Sequence, residues 1–264
     1  MHVLLVYLAV GLFVGVFAGL LGVGGGTIIV PILDIMLPLE NIDSSIVHHM
    51  ALATSMGSIA FTSLSSARSH NKRGTVIWDV VKGMAPGIIA GTLSGTFVVT
   101  SIPTRPLKII FVVFLTYTAI QMILDFKPKA SFHLPNKVWL LFVGLFIGVI
   151  SSFVGIGGGA LIVPFLVMCN IPMINAIGIS ACLGFPLAVA GSVGFIYNGL
   201  NLPNLPPYAL GYIYLPALAG LVAASMLTAP LGVKLSHSLP VKALKRCFGV
   251  MLLVMAARMA YSIM

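Results

Sequence analysis

Residues 19–33 read GLLGVGGGTIIVPIL and place four glycines among the five positions from Gly22 to Gly26, directly before a β-branched apolar run that contains a proline. A similar pattern, SFVGIGGGALIVPFL, returns at residues 152–166. Glycine adopts backbone conformations that other residues avoid, and in a bilayer an unwound stretch persists only where protein or a wet cavity satisfies its N–H and C=O groups. Each motif therefore predicts a helix break at membrane depth beside a cavity.

The composition is that of an integral membrane protein. Of the 264 residues, 59% are hydrophobic and 7% are charged, whereas about a quarter of the residues in a soluble domain are charged. Residues 138–233 contain no Asp, Glu, Lys, Arg or His. The net charge of +9 lies mostly in short connections, so it indicates membrane topology, with the lipid bilayer rather than nucleic acid as partner. The three cysteines show no ligand spacing, and no cofactor or metal is expected.

Apolar runs between polar or proline-rich turns predict an all-α fold of ten helical segments. Two of these segments, 27–38 and 160–169, hold only ten to twelve residues, which is half of the roughly 30 Å hydrocarbon core. They follow the glycine runs directly and are predicted to be half-helices. The longer predicted segments are 3–21, 45–66, 80–100, 107–125, 138–153, 173–197, 209–232 and 244–263.

The two glycine motifs belong to a duplicated unit. At an offset of 133, residues 15–33 match residues 148–166 at ten of nineteen positions, including three consecutive glycines and the proline. After an eight-residue deletion, ATSMG at 53–57 lies opposite GISAC at 178–182. Internal repeats of this length are typical of secondary transporters.

The duplication extends over nearly the whole chain. IPTRPLK at 102–108 resembles LPVKALK at 239–245 near the end of each half. We therefore predict a first transmembrane repeat at 1–125, a basic cytoplasmic linker at 126–137 and a second transmembrane repeat at 138–264.

Loop charges indicate that the two repeats are inverted. Segment 67–82 carries four Lys or Arg residues, whereas its counterpart 198–210 carries no charge, so the positive-inside rule assigns the two loops to opposite faces. Both termini then lie outside, and Arg105 and Lys108 also fall on the outer face, against the rule. The alternative is an eight-span arrangement with parallel repeats, which places 198–210 inside.

The start of each half-helix is suited to an anion. The first N–H groups of a helix lack intrahelical partners and carry the positive end of the dipole, and we expect the free amides near Gly26–Ile29 and Gly159–Ile162. Close helix packing is the alternative use of such glycines. The predicted substrate-binding positions at the breaks are Gly24, Gly25, Gly26, Thr27, Gly157, Gly158, Gly159 and Ala160.

The paired segments GVFAGLLGVGGGTIIVPIL and GVISSFVGIGGGALIVPFL, each followed by a helix with an ATS-like or GIS-like segment, resemble the TauE/SafE family of sulfite and organosulfonate exporters. The resemblance covers essentially the whole chain. It implies a multi-pass carrier in a bacterial or archaeal inner membrane that exports small sulfur-containing anions such as sulfite, sulfoacetate or other sulfonates.

Hydroxyl groups near the breaks are further candidates for anion binding. Thr54, Ser55 and Ser58 lie on an otherwise apolar helix, and Ser180 lies opposite Ser55 in the repeat. Such hydroxyls could donate to sulfonate oxygens, or they could bond carbonyls of their own or a neighbouring helix.

Ionisable residues suggest how transport is coupled. Asp34 lies inside the short segment 27–38, where an ionisable side chain is costly, and it is a candidate for proton coupling together with His48 and His49. Arg68 and Lys72 could attract an anion to the cytoplasmic mouth, or serve only as topology signals. Of the other acids, Glu40 and Asp43 are expected in a solvated turn, and Asp79 and Asp125 at helix ends.

Three classes of function fit these features to different degrees. A secondary anion carrier is favoured, and a channel of the same architecture remains open. An intramembrane serine enzyme would need Ser152 or Ser180 beside a histidine, and the second half has only His237, in a basic loop, so the chain is not expected to be an enzyme. The missing nucleotide motif excludes an ATP-driven pump for this chain alone, and the sequence leaves room for a homodimer.

Overall fold

The computed structural model describes residues 2–21, 25–124, 133–200, 202, 205–235 and 241–263. Gly24, Asp125 and most of the predicted linker at 126–137 lie outside these described residues. Within them the chain forms ten helices and one β-hairpin: α1 His2–Leu21, α2 Gly26–Leu39, α3 Val47–Lys72, α4 Trp78–Ser101, α5 Thr104–Ile123, α6 Lys137–Val154, α7 Gly159–Met168, α8 Met173–Gly199, β1 Ala209–Leu210, β2 Ile213–Tyr214, α9 Leu215–Leu235 and α10 Val241–Tyr261.

The helical fold predicted from the apolar runs is confirmed, with local differences at two ends. Residues 209–214 form the antiparallel hairpin, with Gly211 at φ 55° in its turn, so the helix predicted from residue 209 begins at Leu215. The second difference is at the end of α3, which continues to Lys72 rather than ending at residue 66. Its last turn carries His70 and Lys72, and basic side chains there complement the helix dipole.

Left-handed glycines begin both half-helices. Gly25 precedes α2 with φ 70° and ψ −12°, and Gly158 precedes α7 with φ 75° and ψ −12°. Residues with a Cβ rarely adopt this conformation. The two helices hold 14 and 10 residues, too few to cross a bilayer of about 30 Å. The expected half-helices are therefore present at both positions.

Four of the described helices are long and apolar enough to cross a membrane: α4, α5, α6 and α8. Shorter apolar helical segments, including α2 and α7, accompany them. Many large apolar side chains on these helices are exposed, among them Trp139, Phe142, Phe146 and Tyr197. An exposed apolar surface of this extent is suited to lipid, and the chain is a multi-pass membrane protein.

Helices from the two halves of the chain pack closely against one another at glycine residues. In α4, Gly87 and Gly91 press against backbone carbonyls of α6. In the same way, Gly11 and Gly15 of α1 lie on the backbone of α9. Later residues on one helix meet later residues on the other in both pairs, so α4 runs parallel to α6 and α1 runs parallel to α9. Small residues allow this close backbone approach in the absence of a hydrophobic driving force between helices.

The centre of the molecule is formed by α3 and α8, which run antiparallel. The Cβ positions of Gly191 and Gly184 on α8 face Met56 and Ser63 on α3, respectively. Asn175 Nδ2, near the start of α8, donates to the carbonyl of Thr75 just beyond α3, at 3.0 Å. The first half of α3, from Val47 to Ile59, is buried throughout. This buried stretch of α3 carries most of the candidate hydroxyls and histidines.

One carboxylate joins the end of α2 to the start of α1 and to the β-hairpin. The Tyr7 hydroxyl near the start of α1 donates to the Glu40 carboxylate at the end of α2, and the Tyr214 hydroxyl donates to its other oxygen. Glu40 lies in a turn, as predicted, but it is half-buried, because two tyrosines from distant parts of the chain hold its carboxylate. Asp43 is exposed as predicted, and the Ser45 amide, which donates to it at 2.8 Å, lowers the pKa of its carboxyl.

Candidate functional site

The start of α2 touches the second glycine break. A Cβ built on Gly26 would lie 2.4 Å from the carbonyl oxygen of Gly155, which is closer than real Cβ contacts allow. Ser55 of α3 donates its hydroxyl to the same carbonyl at 2.9 Å. Two of the predicted site residues, Gly26 and Ser55, are thus brought together with the break in the other half of the chain.

Backbone hydrogen bonds at the half-helix starts narrow the set of available amides. The N–H groups of Ile28 and Ile29 both donate to the Gly25 carbonyl at 3.1 Å. Those of Leu161 and Ile162 donate to the Gly158 carbonyl at 3.0 and 2.8 Å. The expectation that free amides extend to Ile29 and Ile162 was wrong, because Gly25 and Gly158 cap these donors.

The first two residues of each half-helix keep their amides directed out of the helix. These are Gly26 and Thr27 in α2 and Gly159 and Ala160 in α7, all at positions where a helix leaves its donors without an intrahelical partner. The positive end of the helix dipole adds to their attraction for an anion. Ala160 stands where the first half has Thr27, so α7 offers amides alone while α2 adds a hydroxyl.

Besides Thr92 and Ser151, three buried hydroxyls that are candidates from the sequence have no hydrogen-bond partner within the described part of the chain. They belong to Thr27, Ser58 and Ser180, whose exposed fractions are 0%, 0% and 1%. A buried, unpaired hydroxyl costs about 1–3 kcal/mol, so a ligand that accepts a hydrogen bond from it gains that stabilisation. By contrast, Thr62 and Ser63 farther along α3 donate to carbonyls of their own helix.

Thr54 is engaged with the β-hairpin. Its Oγ1 accepts a hydrogen bond from the Tyr214 amide at 3.0 Å. This contact attaches the middle of α3 to the segment that follows α8. The hydroxyl proton of Thr54 can still be donated to another acceptor.

The helix α8 approaches the second break at Gly184. A Cβ on Gly184 would lie 3.2 Å from the carbonyl of Gly157, a contact tighter than most. The carbonyl of Gly157 therefore faces α8, while that of Gly155 faces α2 and α3. The second break is consequently held between the two central helices.

A second polar cluster joins three helices near the other end of α2. Asp34 of α2 contacts His48 Nδ1 of α3 at 3.0 Å through Oδ1 and Lys108 Nζ of α5 at 2.8 Å through Oδ2. The side chains of His48, Asp34 and Lys108 are 0%, 3% and 16% exposed. We refer to these three residues as the Asp34 cluster. Asp34 and His48 were both predicted as coupling candidates, and the structure places them in direct contact.

Lys108 is the member of this cluster that was not predicted as a site residue from the sequence. Its position on the outer face in the predicted topology conflicted with the positive-inside rule. A lysine that pairs with a buried carboxylate does not serve as a topology signal, so the ion pair accounts for Lys108, though not for Arg105. The conflict between the positive charge of Lys108 and the positive-inside rule was the signal in the sequence that could have identified this residue.

The remaining predicted residues occupy different surroundings. Both ring nitrogens of His49 have neighbours: Nε2 lies 3.2 Å and 3.0 Å from the carbonyls of Val99 and Ile102, and Nδ1 lies 3.4 Å from the Thr104 hydroxyl. Arg68 and Lys72 are exposed on the last turns of α3, away from the Asp34 cluster.

A cavity of about 520 Å³ opens between α6 and α7, away from the predicted site. Its lining consists of apolar residues between Trp139 and Phe165, four of them aromatic. Such a lining offers no donors to an anion. The cavity therefore belongs to the lipid-facing surface rather than to a binding site for a charged solute.

Known proteins that are similar to this chain are described as membrane transporters or sulfite exporters. The sequence profile described as "Sulfite exporter TauE/SafE" matches residues 7–259. A "Probable membrane transporter protein" of Haemophilus influenzae is 37% identical over 257 residues, which are 97% of this chain and 97% of that protein. A protein of the same description from Methanocaldococcus jannaschii is 28% identical over 249 residues, 89% of this chain and 87% of that protein. No solved structure matches the chain.

Proposed function

The chain belongs to the sulfite exporter TauE/SafE family, and we propose that this membrane transporter exports small sulfur-containing anions such as sulfite, sulfoacetate or other sulfonates. In this proposal it is a secondary transporter in the inner membrane of a bacterium or archaeon. The anion binds between the N-termini of the half-helices α2 and α7.

The contact between the start of α2 and the second glycine break is the observation that carries this proposal. Gly26 lies against the Gly155 carbonyl, and the adjacent Thr27 has a buried hydroxyl without a partner in the described chain. Sulfite and sulfonate oxygens accept hydrogen bonds from N–H and O–H donors. An unpaired donor beside a helix N-terminus is thus a suitable ligand for such an oxygen.

The proposed site combines backbone and side-chain donors from both halves. The amides of Gly26, Thr27, Gly159 and Ala160 supply the N–H groups, while Gly25 and Gly158 provide the left-handed backbone before them. The hydroxyls of Thr27, Ser58 and Ser180 complete the set, and Ser55 and Thr54 hold the surrounding segments. No side chain of fixed positive charge is part of this set, which permits the anion to leave again.

Inverted repeats would give this site its two-sided access. The pairing of α3 with α8 supports the inversion because these two helices occupy equivalent places in the repeat and run antiparallel. The parallel pairs α4 with α6 and α9 with α1 exchange under the same operation. In the resulting topology Arg68 and Lys72 lie at the cytoplasmic mouth, where positive charge raises the local concentration of an anion.

The proposal is tested by counterflow of labelled sulfite in proteoliposomes with Thr27→Val. This change keeps the side-chain shape and removes the unpaired hydroxyl, so we expect the apparent affinity to fall about five- to tenfold, in line with about 1–1.5 kcal/mol for one hydrogen bond. Thr62→Val is the matched control, because that hydroxyl bonds its own helix and should leave the affinity within about twofold. Equal affinities for Thr27→Val and the parent protein would contradict the proposed site.

A further inference from the structure

The Asp34 cluster contains an unoccupied position for a proton. The Asp34 carboxylate accepts from His48 Nδ1 and from Lys108 Nζ, so Nδ1 of His48 carries the hydrogen in this contact. The other ring nitrogen, Nε2, is buried and has no partner among the described residues. In the neutral ring this nitrogen carries a lone pair that accepts no hydrogen bond from the described residues.

The charge of the cluster changes when that lone pair binds a proton. With His48 neutral, the charges of Asp34 and Lys108 cancel. Protonation of Nε2 makes the buried cluster positive by one unit, which is costly at this depth unless an opposite charge is near. A bound anion would provide that opposite charge.

We propose that His48 carries the proton in proton-coupled anion transport, and that Asp34 and Lys108 position it and keep the unprotonated cluster neutral. This inference rests on the proposed function, since it requires an anion at the glycine breaks. One proton binds at His48 Nε2 when one anion binds, and both are released on the other side of the membrane, so export follows the outward concentration gradient of the anion and carries the proton with it. No covalent bond forms or breaks other than N–H.

The groups around His48 single it out from the other coupling candidates. Asp34 faces it from α2, Lys108 is joined to it through Asp34 from α5, and the ring of Phe111 on α5 packs edge-on at 5.4 Å. On its own helix His49 is adjacent, but the nitrogens of His49 contact carbonyls and a hydroxyl, and its ring stacks on Tyr212. His48 Nε2 is the coupling-candidate ring nitrogen that has no partner among the described residues.

The distance between the proton and the anion sets the strength of coupling. His48 precedes Ser55 by seven residues and Asp34 follows Gly26 by eight, which corresponds to roughly 10–12 Å along each helix. Two unit charges at about 12 Å and an effective dielectric constant of about 20 attract each other enough for about a tenfold change in affinity. We therefore expect the anion to bind about tenfold more tightly when His48 is protonated.

Transport of a labelled sulfonate in proteoliposomes tests this proposal, because its acid group stays ionised across the working pH range. For the parent protein, an imposed pH gradient should drive uphill accumulation at zero membrane potential. His48→Gln should reduce this accumulation at least tenfold and reduce counterflow far less. His133→Gln is the matched control, since this histidine is exposed before α6, and it should remain coupled.

The pH profile of transport by Lys108→Met provides a second readout, because a loss of packing alone would not shift the profile in the direction set by the lost charge. Removal of the positive charge beside Asp34 strengthens the hold of His48 on its proton, so the pH profile of transport should move to higher pH. Asp34→Asn removes a negative charge and should move the profile to lower pH. Shifts in opposite directions support the proposal even if His48→Gln also loses counterflow.

The outcomes separate this inference from the proposed function. Active counterflow of the parent without any response to a pH gradient would overturn proton coupling and leave anion transport in place. Undiminished uphill accumulation by His48→Gln, or equal pH profiles for Lys108→Met and the parent, would overturn the role of His48. Failure of the parent to exchange sulfite or any sulfonate would refute the proposed function itself.

Discussion

Replacement of Gly26 by alanine should damage the contact between the two glycine breaks. The added Cβ would lie 2.4 Å from the Gly155 carbonyl oxygen, whereas ordinary contacts begin near 3.4 Å. The start of α2 must therefore retreat by about 1 Å, because the obstructing atom belongs to the backbone. Ile59 Cδ1 at 2.9 Å and the Ser55 hydroxyl at 3.0 Å resist movement from the α3 side.

The cost of this change can be stated in order of magnitude. Overpacking in a close-packed interior costs about 1–3 kcal/mol, and a strained hydrogen bond from Ser55 to Gly155 would add about 1 kcal/mol. A displacement of about 1 Å would also move the amides of Gly26 and Thr27 from their binding positions, and misplacement on this scale can reduce a rate about 100-fold. We expect Gly26→Ala to melt at a lower temperature and to lose at least about tenfold in counterflow.

Gly57→Ala is the control for this experiment. Gly57 is also buried, on α3, but its Cβ would meet a terminal methyl of Leu218 at 3.0 Å, and a flexible side chain can move away. The control should cost less than about 1 kcal/mol and keep counterflow near the parent rate. If Gly26→Ala keeps the melting temperature and the counterflow of the parent, the contact between the breaks does not organise the site.

Two further predictions concern the C-terminal end of α2 and the orientation of the chain. Tyr214→Phe removes one hydrogen bond to the Glu40 carboxylate and should lower the free energy of unfolding by about 1.5–3 kcal/mol, measured by thermal or denaturant unfolding in detergent. For the topology, cysteines introduced singly at Ser69 and Tyr208 should react with an impermeant maleimide from opposite faces of the membrane, because inverted repeats place these loops on opposite sides.

Each of these two predictions would be contradicted by a different result. Tyr208→Phe is the control for Tyr214→Phe, since Tyr208 is 77% exposed, and equal effects of the two changes would mean that the Glu40 bond is unimportant. Labelling of both cysteines from one face would refute the inversion and restore the parallel eight-span arrangement.

Much of the fold was predictable because the bilayer restricts it to few solutions. A chain that must satisfy its backbone in lipid forms helices, so apolar runs translate directly into helical segments. The half-helices were predictable from the repeated motif, in which Gly25 and Gly158 adopt the same left-handed conformation. The β-hairpin at residues 209–214 was not, because each strand has two residues and leaves no periodic pattern.

The site was predictable in its residues more than in its contacts. Gly26, Thr27 and Ser55 follow from the motif and from polar positions on an apolar helix. The bond from Ser55 to Gly155 joins residues 100 positions apart, and no local pattern encodes such a contact. The pairing of Asp34 with Lys108 and of Glu40 with two tyrosines likewise depends on tertiary packing between distant helices.

An anomalous-scattering structure would show directly whether an anion binds between the starts of α2 and α7. Crystals of the full chain would be grown with selenite, the heavier congener of sulfite, and data collected at the selenium edge. We expect one strong anomalous peak within hydrogen-bond distance of the Thr27 hydroxyl and the amides of Gly26 and Gly159. If the protein is saturated with selenite and its selenium peak lies elsewhere, with none between the two half-helices, the proposed binding site is contradicted.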